Sequence, residues 1–404
     1  MLNSSDYQAP AEFGRWRSLA LGLGGICTII MLAVALIYPD QKETVLRAWL
    51  LGFMFSCGLG IGGLGILMLQ YLTGGAWGVV IRRIVEACSR TVFVLALLFI
   101  PIAAGVTYLY EWSHLPDDPV IQHRGWYLTP LGFGLRALAY FVIWFVMQAL
   151  LNGWSAKQDQ SKDYEDSAKH LGTATAFSGP GLVIFVLVVS FATIDWTMTL
   201  DPHWFSTIWG FLYTAGWALS CFSFAVVILA YMSDKAPMNR ILGKRHFHDI
   251  GKLMLALVMV WAYFNFSQFL IIWSGNLPEE TFWFLNRMKD GWGWVGLILI
   301  LFHFAFPYLV LLSRDVKRNA KYLAIMAIFI LVLRIVDMFY HIAPSPSTTG
   351  TELHFNAFWA LYLIGPIAVG GIWLSEFFRQ LGKRPIVPIN DPFMDNAIEH
   401  GRGH

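Results

Sequence analysis

Charge is what this sequence has least of. Only 13% of its 404 residues are Asp, Glu, Lys or Arg, about half the share usual for a water-soluble domain. Hydrophobic residues make up 57%. Water does not solvate a chain of this kind and a single soluble core does not bury it, whereas lipid accommodates it. The net charge of +2 lacks the basic excess that nucleic acid attracts, so no nucleic-acid partner is expected. Cysteine is also sparse. Cys27, Cys57, Cys88 and Cys221 are far apart and lie in or beside apolar runs, with no CxxC and no CxxCH. That spacing argues against a c-type haem, an iron–sulfur cluster or a structural zinc site carried by this chain, and no covalently bound cofactor is expected. A cleavable leader is not expected either. Met1 to Arg17 is polar and mildly basic, the following apolar run is long, and no small-residue cleavage site stands out.

What the chain does have is long apolar runs. A membrane helix needs about 20 mostly apolar residues, and ten stretches qualify: Leu19–Tyr38, Val45–Leu72, Ile84–Trp112, Leu128–Asn152, Ala174–Leu200, Trp209–Met232, Leu253–Ser274, Trp292–Leu312, Lys321–Ile342 and Phe355–Phe378. Turn chemistry separates them, as at Pro39-Asp40, Gly74-Gly75, Pro116-Asp117-Asp118-Pro119, Asp201-Pro202, Pro237 and Pro344-Ser345-Pro346. Eighteen Trp and fifteen Tyr suit a protein with two membrane–water interfaces. Thirty-six Gly and fourteen Met suit close helix packing. The expected fold class is therefore all-α integral membrane. A segment of residues 1–18 and a tail of residues 381–404 would flank a ten-helix domain of residues 19–380.

Lys and Arg set the orientation. With both termini cytoplasmic, 21 of the 28 basic residues fall on the cytoplasmic side, among them Arg82, Arg83, Lys244, Arg245, Arg314 and Arg384. Only Lys42, Arg47, Arg124, Arg287 and Lys289 fall on the other, and Arg136 and Arg334 lie inside spans. This asymmetry fits an even number of spans. A weak repeat is also present. Trp112-Ser113, then Leu115-Pro116 and an acidic pair, is echoed by Trp273-Ser274, then Leu277-Pro278 and an acidic pair. Ile194-Asp195-Trp196 is echoed by Val336-Asp337-Met338. The pattern predicts two parallel four-helix bundles, spans 2–5 and spans 6–9, with spans 1 and 10 flanking them.

Ionisable side chains inside a span are costly unless paired or hydrated, so each one raises a functional hypothesis. Arg334, Asp337 and His341 are spaced i, i+3, i+7 and share one helix face. Asp195, Asp201 and His203 lie at the end of the fifth span, Arg136 lies inside the fourth, and Glu111 and His114 end the third. Together they offer carboxylate, imidazole and guanidinium for a proton pathway or a quinone pocket on the non-cytoplasmic half. Each also has a plainer role: Arg334 pairing with Asp337, and Asp195 neutralising Arg136. His303, deep in the eighth span, has no second histidine at matching depth for a haem and reads as a hydrogen-bonded core residue, though its position keeps it among the pathway candidates. Glu86, with Glu376, Gln148 and Asn152, lies near the cytoplasmic ends, as an inner half-channel or as interface residues. The sign-alternating stretch Lys157–Lys169 reads as a solvated loop, and Lys244-Arg245-His246-Phe247-His248 as a topology signal. The tail from Pro385 to His404 is expected to extend along a partner subunit.

The run Asp195 to Trp209, DWTMTLDPHWFSTIW, together with ten spans in two units, resembles the NrfD/PsrC-like membrane subunits of the bacterial alternative complex III. The likeness extends over Leu19 to Phe378 and is nearest to the smaller, ActF-type, of that complex's two such subunits. The resemblance implies a quinol:cytochrome c oxidoreductase of the cytoplasmic membrane. Its electrons would leave through an Fe–S subunit and c-type cytochrome subunits, and the second NrfD-like paralogue would be a further partner. It implies no metal here, a possible role for menaquinone or ubiquinone, and structural lipids. It also places the quinone pocket or proton outlet near Asp195, Arg334, Asp337 and His341. Proton translocation is the role expected of this copy. Two other functions fit the residues: a secondary transporter, which substrate uptake by the isolated chain would favour, and a structural scaffold indifferent to replacement of Asp195 or Asp337.

Overall fold

The computed structural model describes residues 7–348 and 357–402. The first two residues of the last expected span and the extreme ends of both termini lie outside these. The described residues form an all-α protein with ten helices long and apolar enough to cross a membrane. They are α1 (Glu12–Ile37), α2 (Pro39–Thr73), α3 (Ala76–Ala104), α4 (Pro130–Asp159), α5 (Tyr164–Leu200), α6 (Trp209–Met232), α7 (Lys244–Gly275), α8 (Trp292–Leu312), α9 (Ala320–Ile342) and α10 (Phe358–Leu381).

Packing follows the two-bundle pattern. Helices α2, α3, α4 and α5 close one ring, and α6, α7, α8 and α9 close another in the same order. The bundles meet where α2 and α5 lie against α6. Helix α2 is apolar all round and 94% of its apolar window is buried, the pattern of a helix surrounded by protein. Its glycines permit this. A methyl group on Gly365 of α10 would sit 2.1 Å from the Ala48 carbonyl of α2, so these two backbones meet directly. Helix α1 is the opposite case, only 17% buried, and it packs chiefly on α10 through Gly24 and Gly371, where an added methyl would likewise strike backbone.

Both leucine–proline–acid repeats open a short helix. Asp118 Oδ1 accepts the Val120 and Ile121 N–H groups at the start of Pro119–Arg124. Pro278 opens Pro278–Asn286, with Glu279 and Glu280 in its first turn. A proline at the first position loses no helical hydrogen bond, and acids there meet the positive end of the helix dipole.

Two sequence expectations change, those for the Lys157–Lys169 loop and for the tail. The Lys157–Lys169 loop shrinks, because Asp163 Oδ1 accepts the Asp166 N–H at 2.9 Å and starts α5 at Tyr164. The basic run Lys244–His248 is the first turn of α7, with His246 and Phe247 buried. The tail packs on its own chain instead of extending away from it. Ile386 and Val387 are buried, Asp391 pairs with Arg82, and Asn390 donates to the Asp159 and Ser161 carbonyls. A final helix, α11 (Met394–Arg402), lies against α3 and α7.

Candidate functional site

The site is built on one face of α9. Arg334 and Asp337, one turn apart, form a fully buried ion pair through Nη1 and Oδ2. Arg334 Nε also donates to Ser220 Oγ of α6 at 3.3 Å. The guanidinium fits there because residue 216 is glycine: a methyl group would lie 2.2 Å from Arg334 Nη2. His341, one further turn along, brings Nε2 to 4.0 Å from Asp337 Oδ1. Its ring is enclosed by Trp209 at 4.9 Å, Tyr213 at 5.6 Å and Trp283 at 6.2 Å.

His303 joins this group from α8. Residues Leu299–Ala305 form a π-helical turn, followed by Pro307, which has no N–H to give to the His303 carbonyl four residues earlier. A wide turn of this kind accommodates the broken ladder. It carries the His303 ring onto Trp261, with centroids 3.9 Å apart, and within electrostatic reach of Asp337. The expected hydrogen bond of a core histidine does not come from the described protein groups. Neither ring nitrogen of His303 has a hydrogen-bond partner among the described residues.

His341 Nδ1 is likewise without a partner, whereas Asp337 Oδ1 and Tyr213 Oη make no close hydrogen bond but face the Trp261 indole and the Thr197 hydroxyl respectively. A buried polar atom without a partner costs roughly 1–3 kcal/mol, so several together are not a stable packing solution by themselves. Buried water, which makes about three hydrogen bonds per molecule, meets such groups in folded proteins. The arrangement is therefore that of a buried ionisable cluster whose polar atoms are incompletely paired by the described residues.

A polar series leads from this cluster to the end of the molecule opposite the basic one. The buried Arg287 guanidinium lies 3.6 Å over the Trp283 ring and donates to the carbonyls of Tyr340 at 3.1 Å and His341 at 3.0 Å. Burial lowers its pKa to about 9, partly offset by Tyr340 and Asp201. Burial raises the Asp201 carboxyl to about 6, with Arg287 opposing and Glu111 reinforcing the shift. Next comes His203, whose Nε2 lies 3.0 Å from Asp118 Oδ2 at the surface. This contact, ahead of the Val120 and Ile121 amides, holds the Asp118 carboxyl below its usual range. The Asp195–Trp209 run forms the connection from α5 to α6 that carries Asp201 and His203. It is fixed by Trp209 Nε1 donating to Thr197 Oγ1 at 2.9 Å and by Trp204 stacked on Trp283 at 4.6 Å.

The remaining candidates lie elsewhere. Asp195 belongs to the other bundle, where it accepts from Arg136 Nε at 2.8 Å, Arg136 Nη2 at 3.2 Å and Tyr140 Oη at 2.7 Å. Arg136 in turn lies 3.6 Å over the Tyr127 ring. The plainer expectation for this pair, mutual neutralisation, describes it. Glu86 lies at the basic end. There it accepts from Arg83 at 2.7 Å and Ser155 at 2.6 Å, with Arg384 at 3.5 Å. No protein-family model matches the sequence, and no curated protein does. Arg287, Trp261, Tyr140 and Tyr213 are members of these sites that sequence reasoning missed. A usable signal existed only for Arg287, four residues after Trp283 on one helix face.

Proposed function

We propose that the chain is an NrfD/PsrC-like membrane subunit of a bacterial quinol-oxidising complex of the alternative complex III type. In this reading it lies in the cytoplasmic membrane with both termini cytoplasmic and moves protons between Asp337 and the opposite face. The observation that carries the proposal is the buried, incompletely paired group of Asp337, His341 and His303, continued outward by Arg287, Asp201 and His203. Arg334 holds one carboxylate oxygen of Asp337 and leaves the other facing His341. That oxygen, His303 and His341 can exchange a proton through intervening water. Arg287 fixes the carbonyl end of α9 beside the route, and Asp201 with His203 completes the passage to solvent.

A quinone would meet suitable donors here, in two histidines, a tyrosine and a tryptophan. It would not meet an opening of its size, because Arg334, Asp337, His303 and His341 are each at most 3% exposed and aromatic rings close around them. The residues fit water and protons better than a quinone ring, so no step is assigned to quinone on this chain. Electron transfer belongs to the iron–sulfur and cytochrome partners that the resemblance implies.

The test is Asp337→Asn in the purified complex, with subunit composition checked. Proton release coupled to quinol oxidation is expected to fall roughly a hundredfold, the lower end of the range for loss of a positioned acid–base group. Wild-type turnover and wild-type proton release in an intact complex would reduce the cluster to a helix-pairing device and favour the scaffold reading.

A further inference from the structure

The basic end carries a second site unconnected to the Asp337 cluster. Where the first turns of α1 meet the last turn of α10 there is an open cavity of about 430 Å³, within the range of roughly 300–1,000 Å³ typical of small-ligand pockets. Its walls include Phe13 and Phe378, packed with ring centroids 5.0 Å apart, and three basic side chains, Arg17, Arg379 and Lys383. Arg17 and Lys383 have no hydrogen-bond or ion-pair partner among the described residues. Arg379 has one, a two-pronged contact with Glu376 at 2.6 Å through each nitrogen. One acid thus stands against three cations, and two of the cations make no hydrogen bond or close ion pair with it.

The position of the cavity identifies what it would hold. The three cations sit where two membrane spans end, and below them α1 presents its apolar side outward, with Leu21, Leu23 and Ile26 each at least half exposed. A soluble anion would use the cations and leave that apolar surface unmatched. A membrane lipid with an anionic headgroup satisfies both, with its phosphate among the cations and its acyl chains along α1. Basic pockets between spans are a recurrent solution for binding such headgroups. The site also addresses a weakness of the fold, since α1 rests chiefly on its seam with α10.

We propose that Arg17, Arg379 and Lys383 form a binding site for the phosphate of an anionic phospholipid, which ties α1 to α10. The test uses the full chain, with any subunits that accompany it, in phosphatidylcholine vesicles containing a photoactivatable phosphatidylglycerol. Crosslinks are expected at the basic ends of α1 and α10. Arg17→Gln/Lys383→Gln should weaken labelling roughly thirty-fold, the factor that about 1 kcal/mol per cation implies for two. The charge-keeping Arg17→Lys/Lys383→Arg should retain it, and so should Lys162→Gln/Lys169→Gln, which removes two exposed charges around the start of α5 at the same end. Undiminished labelling of the first variant would overturn the proposal. So would displacement of the label by excess inorganic phosphate, which would assign the cavity to a soluble anion.

Discussion

At the scale of single residues, Asp201 is the group whose charge state the surroundings alter most plainly. Burial raises its carboxyl from 3.8 to about 6, so the folded protein keeps this proton over a range in which the unfolded chain has lost it. The sign follows from linkage. Below about pH 4 both states are protonated and the shift has no effect. Between about pH 4 and pH 6 stability falls as pH rises, and above that the penalty is constant, at about 3 kcal/mol for a shift of roughly two units. Asp201→Asn is expected to remove this slope. In detergent, the melting temperature of the wild type should drop across pH 4–6 more steeply than that of the variant. Parallel curves would mean that another group sets the pH dependence. The acid–base stripe of α9 was readable beforehand, because i, i+3, i+7 spacing is a local property. Arg47 was not, and Arg287 was signalled only by its spacing from Trp283. Arg47 lies near the start of the expected second span and Arg287 between the seventh and eighth; both are buried and bound to carbonyls of residues 340–346, and contacts so distant in the chain leave no local trace. His303 was visible as an isolated histidine, but its π turn and its Trp261 partner depend on how α7 and α8 meet.

At the scale of elements, apolar length identified all ten spans, and the errors gathered where helices continue into polar sequence. The tail shows why. Its residues are individually unremarkable, and its anchoring comes from Asp391 meeting Arg82, 309 positions away, inside a network with Gln70 and Gln158. Both side chains of that pair are at most 1% exposed. Removing one partner of a buried pair leaves an uncompensated charge and costs roughly 3–5 kcal/mol, whereas replacing both by apolar residues is often close to neutral. Asp391→Asn is therefore expected to lower unfolding stability by about 3 kcal/mol, the smaller figure because Gln70 and Gln158 remain. It should also open the segment between Pro385 and Met394 to limited proteolysis. Arg82→Met/Asp391→Leu should recover much of the loss. A tail equally resistant in wild type and Asp391→Asn would show that α11 alone holds it.

At the scale of the whole molecule, the two bundles present the same problem solved in two ways. Each places a carboxylate near the end of its last helix, Asp195 on α5 and Asp337 on α9, close to a polar ring on the preceding helix, Tyr140 on α4 and His303 on α8. In the first bundle the arginine comes from α4 and grips both carboxylate oxygens, and Tyr140 adds a third bond. In the second the arginine comes from α9 itself and takes one oxygen, leaving the other without a close bond beside two histidines and the Trp261 indole. A saturated carboxylate serves as a brace between helices; an unsaturated one beside imidazoles is able to exchange a proton. The bundles should therefore respond differently to the same chemistry. Arg136→Gln/Asp195→Asn removes a buried pair but leaves amides able to hydrogen-bond each other. It is expected to lower stability by about 1–3 kcal/mol, the usual cost of lost charge-assisted hydrogen bonds, with coupled proton release per turnover kept. Arg334→Gln/Asp337→Asn is expected to cost a comparable amount of stability and to abolish that coupling. Thermal melts and proton release measured on both double variants of the complex decide the matter. Equal loss of coupling in the two would mean that Asp195 also carries protons, and equal retention would make both bundles braces.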